Sequence, residues 1–398
     1  MKKAIKNIAQ MMHQADPKAC FAFEFWDGDV LRFGAVPRVT LRLKTKSCAR
    51  SIIGKGFLGL GESYMEGDLE IESCMAELFR LGFAIGFDDY KLPLWQQFRF
   101  VILGILNRNT LRCAQKNISY HYDRGDEFYA LYLDKTMTYS CAYFKRSDDS
   151  LEQAQLNKYE HIARKLILKP DETLLDIGCG WGGMLIFAAQ KYGIRGVGNT
   201  LSKNQFEYAN RKIKELGLQD QIKILCQDFR QLSGKFDKIV SIGMFEHVGK
   251  EFIPAFIQKV SDLLKTGGLG LLHTIGENTP SASDPWTFNY IFPGAYIPTL
   301  HEITSEMGKT GFSIIDVENL RLHYAKTLEK WIENYENNIE KIRELFDEAF
   351  VKQWRLFLHS TAAGFKCGKS QLFQTLFSKG SNNALPITRA HVYHDSSP

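Results

Sequence analysis

The run Leu174-Leu175-Asp176-Ile177-Gly178-Cys179-Gly180-Trp181-Gly182-Gly183 joins an apolar stretch to a glycine-dense turn and then to a helical pattern. Glycine lets a backbone approach a nucleotide without a Cβ in the way, and the amides that open the next helix suit polar groups. Gly178, Gly180 and Gly183 also satisfy G-x-G-x-x-G, a spacing that several nucleotide-binding folds share. A dinucleotide site adds a carboxylate about 20 residues on to hold the ribose. Gly198-Asn199-Thr200 stands there instead, and Asp228 follows the next apolar stretch. Farther along come Glu246-His247, within residues 243–249, and His273, within residues 271–276. A carboxylate and an imidazole at adjacent strand ends can hold or take a proton, which is general-base work. The same types could ligate a metal, but no His-x-x-x-His pair or helix-borne set accompanies them, so no metal is expected.

These residues need a scaffold, and the pattern around them supplies one. Short apolar strands are expected at 173–177, 195–200, 222–226, 238–242 and 269–274, separated by helices at 184–191, 203–216 and 251–264. A helix at 151–168 precedes them and stops at Lys169-Pro170. Strands alternating with helices imply right-handed βαβ units on a parallel sheet covered on both faces. Ligands of such sheets lie beyond the carboxyl ends of the strands, which places all the motifs on one rim.

The region before residue 120 reads differently. Residues 21–33 suggest a strand, a turn at Trp26-Asp27-Gly28-Asp29, and a second strand. Residues 39–45 alternate with period two, while 54–67 are glycine-rich and read as a loop. Helices are expected at 72–87 and 95–113, the second carrying Phe98, Val101, Ile102, Ile105 and Leu106 on an apolar stripe with Arg99, Arg108 and Arg112 around it. Residues 107–119 are polar enough for a linker, so domains are expected at 1–115 and 116–398. Gly364-Phe365-Lys366-Cys367-Gly368-Lys369-Ser370 lacks the four-residue gap of a phosphate-binding loop and no strand precedes it, so it reads as a helix end.

The chain has 398 residues, 44% hydrophobic and 24% charged, which excludes a disordered polymer. Its eight cysteines include no Cys-x-x-Cys pair and are too dilute for a disulfide scaffold. No apolar run approaches the ~20 residues of a membrane span. Lys2 and Lys3 are followed by Asn7, Gln10, His13 and Gln14 rather than by a signal-peptide apolar segment, so a cytoplasmic location is expected. The charge is uneven: residues 1–115 carry 16 Lys+Arg against 12 Asp+Glu, and the rest 34 against 33. Between Val30 and Gly61 lie seven basic residues and no acid. Nucleic acid or an anionic membrane would complement that stretch.

The 176–180 block resembles motif I of S-adenosylmethionine (AdoMet) methyltransferases, and Asp228 resembles the acid that such enzymes place near adenine. Taken with Tyr139-Ser140-Cys141-Ala142-Tyr143-Phe144, Thr200-Leu201-Ser202-Lys203-Asn204-Gln205 and residues 244–249 and 273–276, it resembles the cyclopropane-fatty-acyl-phospholipid and mycolic acid cyclopropane synthase family. Asp284-Pro285-Trp286, Tyr290-Ile291-Phe292-Pro293-Gly294 and Gly59-Leu60-Gly61-Glu62-Ser63-Tyr64 fit too, the last resembling the phospholipid-acting bacterial branch. The resemblance extends over roughly residues 56–380.

That resemblance implies an α/β, Rossmann-like class I AdoMet methyltransferase domain with a smaller N-terminal α+β domain that associates with lipid. It implies a methylene transfer from AdoMet to the cis double bond of a phospholipid acyl chain, through a carbocation. A bicarbonate ion would take the proton, cradled by Glu246, His273 and Tyr324 with the backbone amides of Cys141 and Ile275. A carboxylate beside an anion must share a proton with it, so coupled titration is expected. AdoMet would be held by Tyr139, Ser140, Asp176, Gly178, Gly180, Thr200, Gln205, Asp228 and Phe229. Phe288, Ile291 and Phe292 are acyl-tunnel candidates. The implied partners are unsaturated membrane phospholipids at an anionic inner membrane face and a second copy of the chain, with no nucleic acid. Enzymes making methyl-branched or methylene chains share the carbocation, and an inactive lipid-binding relative would share the fold.

Overall fold

Val39, Leu41 and Leu43 are buried while Thr40 and Arg42 are half-exposed, the period-two burial of a strand with one face on a core. In the computed structural model, which describes residues 1–87, 108–281 and 284–393, that segment is β3 (Val39–Leu43). It lies between β1 (Phe21–Glu24), which it pairs in parallel, and β4 (Leu69–Ser73), antiparallel. β2 (Val30–Phe33) completes the sheet against β1, with the turn at Trp26-Asp27-Gly28-Asp29 where expected.

The chain divides into two compact units. The first comprises Met1–Asn107, Ala282–Pro293 and Leu328–Lys369, so two later segments join the N-terminal sheet rather than following one cut at residue 115. Within it the glycine-rich segment is not a loop. Phe57–Glu66 is a helix, and its glycines mark close approaches: a Cβ on Gly61 would stand 2.3 Å from the buried Trp286 indole, and one on Gly59 2.1 Å from Ser51 O. Ile291 is fully buried in this unit and Phe292 packs edge-on against Phe357. The basic stretch is partly neutralised by acids from other elements. Arg42 meets Glu24, Glu70 and Glu72, Lys44 meets Glu70, and Lys55 meets Glu62. The helix expected at 95–113 lies largely outside the described residues.

The second unit holds a seven-stranded sheet in the order β10-β11-β9-β8-β5-β6-β7. β5 (Thr173–Ile177), β6 (Arg195–Thr200), β7 (Ile222–Cys226), β8 (Phe236–Ile242) and β9 (Leu264–Gly276) run parallel, with the expected strands in place and β9 longer at both ends. β10 (Phe312–Asn319) and β11 (Gln371–Lys379) extend the sheet antiparallel beyond β9. Apolar clusters cover both faces, one around Leu174, Leu185 and Ile194, the other around Leu175, Ile239 and Phe256. Leu111–Tyr122 is a helix, where a linker was expected. Glu348–Cys367, in the first unit, ends at left-handed Gly368, the helix end anticipated for that glycine motif. No helix among the described residues is long and apolar enough to cross a membrane.

Candidate active site

Because β5 to β8 are parallel, their carboxyl ends present the turns after Ile177, Thr200, Cys226 and Ile242 on one rim. After β5 the chain passes through Gly178 at φ +83° and Gly180 at φ +54°, left-handed values that a side chain would strain. Gly178 N donates to Asn199 Oδ1 at 3.3 Å and Asn199 Nδ2 donates to Gln227 O at 3.0 Å, tying the turn to the two neighbouring strand ends. Cys179 is buried in the core, as a small packed residue.

All nine residues expected to bind cofactor, Tyr139, Ser140, Asp176, Gly178, Gly180, Thr200, Gln205, Asp228 and Phe229, line one cavity of about 130 Å³. Thr200 Oγ1 donates to Gln205 Oε1 at 2.7 Å, so the residue standing where the dinucleotide acid would be is locked to the next helix. Asp228 caps the turn Phe229–Gln231, and Arg230 holds its carboxylate through bonds of 2.7 and 2.8 Å. Trp181, Tyr122 and Met244 complete much of the wall.

Lys158, also in this wall, escaped the sequence reading. Gln155, Lys158, His161 and Lys165 recur at helical spacing along Leu151–Leu166, and all four are buried. That polar stripe on an inward face was the available signal. Lys158 Nζ donates to Ser140 Oγ at 2.9 Å. Burial lowers its ammonium to about 8, against the pull of Cys141, Asp134 and Asp176. Burial likewise raises the Asp176 carboxyl to about 7, and Lys158 restrains it.

Beside the cavity, Glu246 sits on the short turn Phe245–His247 after β8, 5% exposed. Its Oε1 accepts from Ile275 N at 2.6 Å, so the amide expected to cradle an anion is engaged by Glu246 itself. Burial raises the Glu246 carboxyl to about 7, with the Ile275 amide pulling the other way. Tyr324 is half-buried as a residue, and its hydroxyl is pushed well up, by burial first and then by the fields of Tyr139, Cys141 and Glu246. Tyr139, Cys141 and Glu246 therefore all lie within electrostatic reach of Tyr324. Cys141 is buried, its thiol driven up by burial and its Sγ 3.2 Å from Ala142 O, which suits packing rather than nucleophilic attack. His273, 1% exposed, is kept neutral by burial and by Lys158, Lys165 and His161. Glu246 Oε2 and His273 Nε2 are buried without a hydrogen-bond partner among the described residues. His247, next in sequence to Glu246, meets the Tyr122 hydroxyl at 3.0 Å and is lowered to about 4 by burial.

A family profile described as mycolic acid cyclopropane synthetase matches residues 109–375, and one described as a domain of unknown function matches residues 8–84. The chain is 37% identical over 385 residues to a probable fatty acid methyltransferase of Pseudomonas putida, covering 93% of this chain and 95% of that protein. It is 35% identical over 362 residues to the cyclopropane-fatty-acyl-phospholipid synthase of Escherichia coli K12, covering 89% and 92%. Among solved structures, a mycolic acid cyclopropane synthase complexed with SAH and CTAB is similar at a TM-score of 0.63 and 35% identity, over 67% of this chain and 98% of that one.

Proposed function

Since the chain belongs to the mycolic acid cyclopropane synthetase family and is an AdoMet-dependent methyltransferase, we propose that it builds cyclopropane rings on unsaturated acyl chains of membrane phospholipids. The observation that carries this reading is the meeting of two features in one unit. A cavity lined by all nine AdoMet-binding candidates adjoins the buried Glu246 and the half-buried Tyr324. The SAH in the similar solved structure supports the cofactor, and the long-chain surfactant CTAB in the same complex supports an acyl substrate.

The reaction balances without a redox partner. The alkene π electrons form a bond to the AdoMet methyl carbon while the C–S pair stays on sulfur, giving S-adenosylhomocysteine and a carbocation. A proton then leaves the added methyl, and its C–H electrons close the third ring bond. Such a cation demands exclusion of water, and the low exposure of Glu246, His273 and Cys141 provides a dry wall.

The residues present fit a small oxyanion as the proton acceptor. Glu246 Oε2 and His273 Nε2 are buried polar atoms without a partner among the described residues, and a carboxyl raised to about 7 can carry the proton that an anion beside it requires. Glu246, His273 and Tyr324 would hold bicarbonate, and bicarbonate would supply the base. The first unit is assigned the lipid surface, approached from the inner membrane face, and a homodimer is the assembly proposed.

The test is to incubate the protein with methyl-labelled AdoMet and vesicles of cis-monounsaturated phospholipid, then analyse the released fatty acids. Label in a ring-bearing chain supports the proposal. Label in a methyl-branched chain, the outcome suggested by the Pseudomonas relative, reassigns the fate of the cation. No label in lipid overturns both.

A further inference from the structure

Glu318, Gln374 and His273 stand directly opposite one another on β10, β11 and β9, forming one cross-strand row. Residues paired in this way share a sheet face. The helix Leu151–Leu166 lays Lys165 against that row. Lys165 Nζ donates to Glu318 Oε2 at 2.5 Å and to Gln374 Oε1 at 2.9 Å, and Gln374 Nε2 lies 3.1 Å from His273 Nδ1. His161, one turn back on the helix, adds a second contact to Glu318 Oε2 at 2.7 Å. Lys165, Gln374 and His273 are each no more than 1% exposed.

Donor and acceptor chemistry leaves this chain one orientation. An ammonium only donates, so the Gln374 carbonyl must face Lys165. The amide nitrogen then faces His273 and can only donate to it. Nδ1 of His273 must therefore be the bare, accepting nitrogen, and the proton of the neutral ring must sit on Nε2. Nε2 is the ring atom buried without a hydrogen-bond partner among the described residues. Burial lowers the Lys165 ammonium while Glu318 and Asp316 pull it back up, and despite burial His161 and Lys165 hold the Glu318 carboxyl down to about 2, so the two are held as an ion pair.

We propose that Gln374, oriented by the Lys165–Glu318 ion pair, is a positioning residue that fixes His273 as the Nε2–H tautomer and makes it a hydrogen-bond donor to the oxyanion of the site. This role rests on the proposed function for its purpose, but not for its existence. The groups that face His273 are Lys158, His161 and Lys165 from the helix, Glu318 from β10 and Gln374 from β11. None of them offers an acceptor to Nδ1 while Lys165 is charged.

The test uses the full chain labelled with 15N-histidine. Two-bond proton–nitrogen correlations report which ring nitrogen is protonated, and a His273→Gln control assigns the signal. The wild-type ring should show its proton on Nε2. Gln374→Glu replaces the donor by an acceptor of the same shape, so a proton should appear on Nδ1, and turnover should fall roughly 10–100-fold, as for lost partners behind a functional imidazole. The KM for AdoMet should stay unchanged. Lys165→Arg should preserve the wild-type pattern, whereas Lys165→Met frees the amide to flip and should yield a mixture of tautomers. A wild-type proton on Nδ1 overturns the proposal, as does a folded Gln374→Glu protein whose Nδ1 stays bare. Should Gln374→Glu fail to fold, the wild-type spectrum and the two Lys165 variants decide. Nε2–H in a protein that labels no lipid leaves the tautomer standing and sinks the reaction. Nδ1–H in a protein that makes rings does the reverse.

Discussion

Glu246 Oε1 accepts a hydrogen bond from Ile275 N at 2.6 Å, while Glu246 Oε2 is buried with no partner among the described residues. One oxygen therefore anchors the side chain and the other is available for chemistry. A glutamine keeps the anchor and loses the titration. Glu246→Gln is expected to lower turnover roughly 100-fold or more, in the range of general acid–base contributions, with AdoMet affinity nearly unchanged by calorimetry.

The same variant should be more stable than the parent at alkaline pH. Burial raises the carboxyl from 4.5 to about 7, so the folded chain binds more protons than the unfolded one between those values. Stability is then lost as pH rises through that window, by roughly 3 kcal/mol for this group. Glutamine removes the loss. Thermal melts should show Glu246→Gln gaining over the parent at pH 8 and matching it near pH 4; an equal offset at both would refute the assignment.

Lys158 links the helix Leu151–Leu166 to the cofactor wall through Ser140. Lys158→Met should weaken AdoMet binding about tenfold, equivalent to roughly 1.4 kcal/mol. It also removes the ammonium that restrains Asp176, so the Asp176 carboxyl should titrate above its parent value of about 7. Carbon-13 titration of that carboxyl reads the shift directly, and a downward move would contradict the pairing.

Two glycines in the first unit should respond to alanine with opposite signs. Gly61 has the Trp286 indole where its Cβ would go, so Gly61→Ala is expected to destabilise by roughly 1–3 kcal/mol. Gly54 lies in the helix Lys46–Lys55 with open space at that position, and Gly54→Ala should stabilise by about 0.5–1 kcal/mol. Denaturant midpoints separate the two.

Arg32, Arg38, Lys46 and Arg50 are exposed and form no ion pair among the described residues, unlike Arg42. If this surface meets anionic lipid, replacing the four by glutamine should weaken vesicle binding by about 1 kcal/mol per residue. Raising salt should weaken the parent's binding, because exposed charges are screened beyond about 8–10 Å. Arg42→Gln should leave binding nearly unchanged. Binding indifferent to both salt and the four substitutions would remove the lipid role of these residues.

The parallel strands and the glycine turn were legible because their signals are local: short apolar runs, bracketed by Gly and Pro, close to the residues they place. β11 was not legible. It is buried almost throughout, with Gln374, Thr375 and Ser378 inside, so it shows no apolar alternation. Its glutamines meet groups from distant segments, Asn319 for Gln371, and Lys165 and His273 for Gln374. Residues 54–67 misled for a related reason. Gly59 and Gly61 serve close approach within a helical region, and Trp286, which explains Gly61, lies far along the chain. Three of the seven basic residues between Val30 and Gly61 are likewise paired with acids outside that stretch, which no local count reveals.

The antiparallel pairing of β11 with β9 also sets an order of events during synthesis. Gln374 is 101 residues beyond His273, and the intervening chain contributes to the first unit before returning. A ribosome therefore delivers the cofactor strands β5 to β8, and β9 itself, well before the strand that shields the flank of β9. Until then β9 is an unpaired edge, open to the wrong partner. Stalling or premature termination between residues 277 and 370 would leave a nascent chain with its glycine turn made and its imidazole undirected. Pulse-labelled nascent chains of graded length should gain protease resistance in β9 only once residues 371–379 have cleared the exit tunnel.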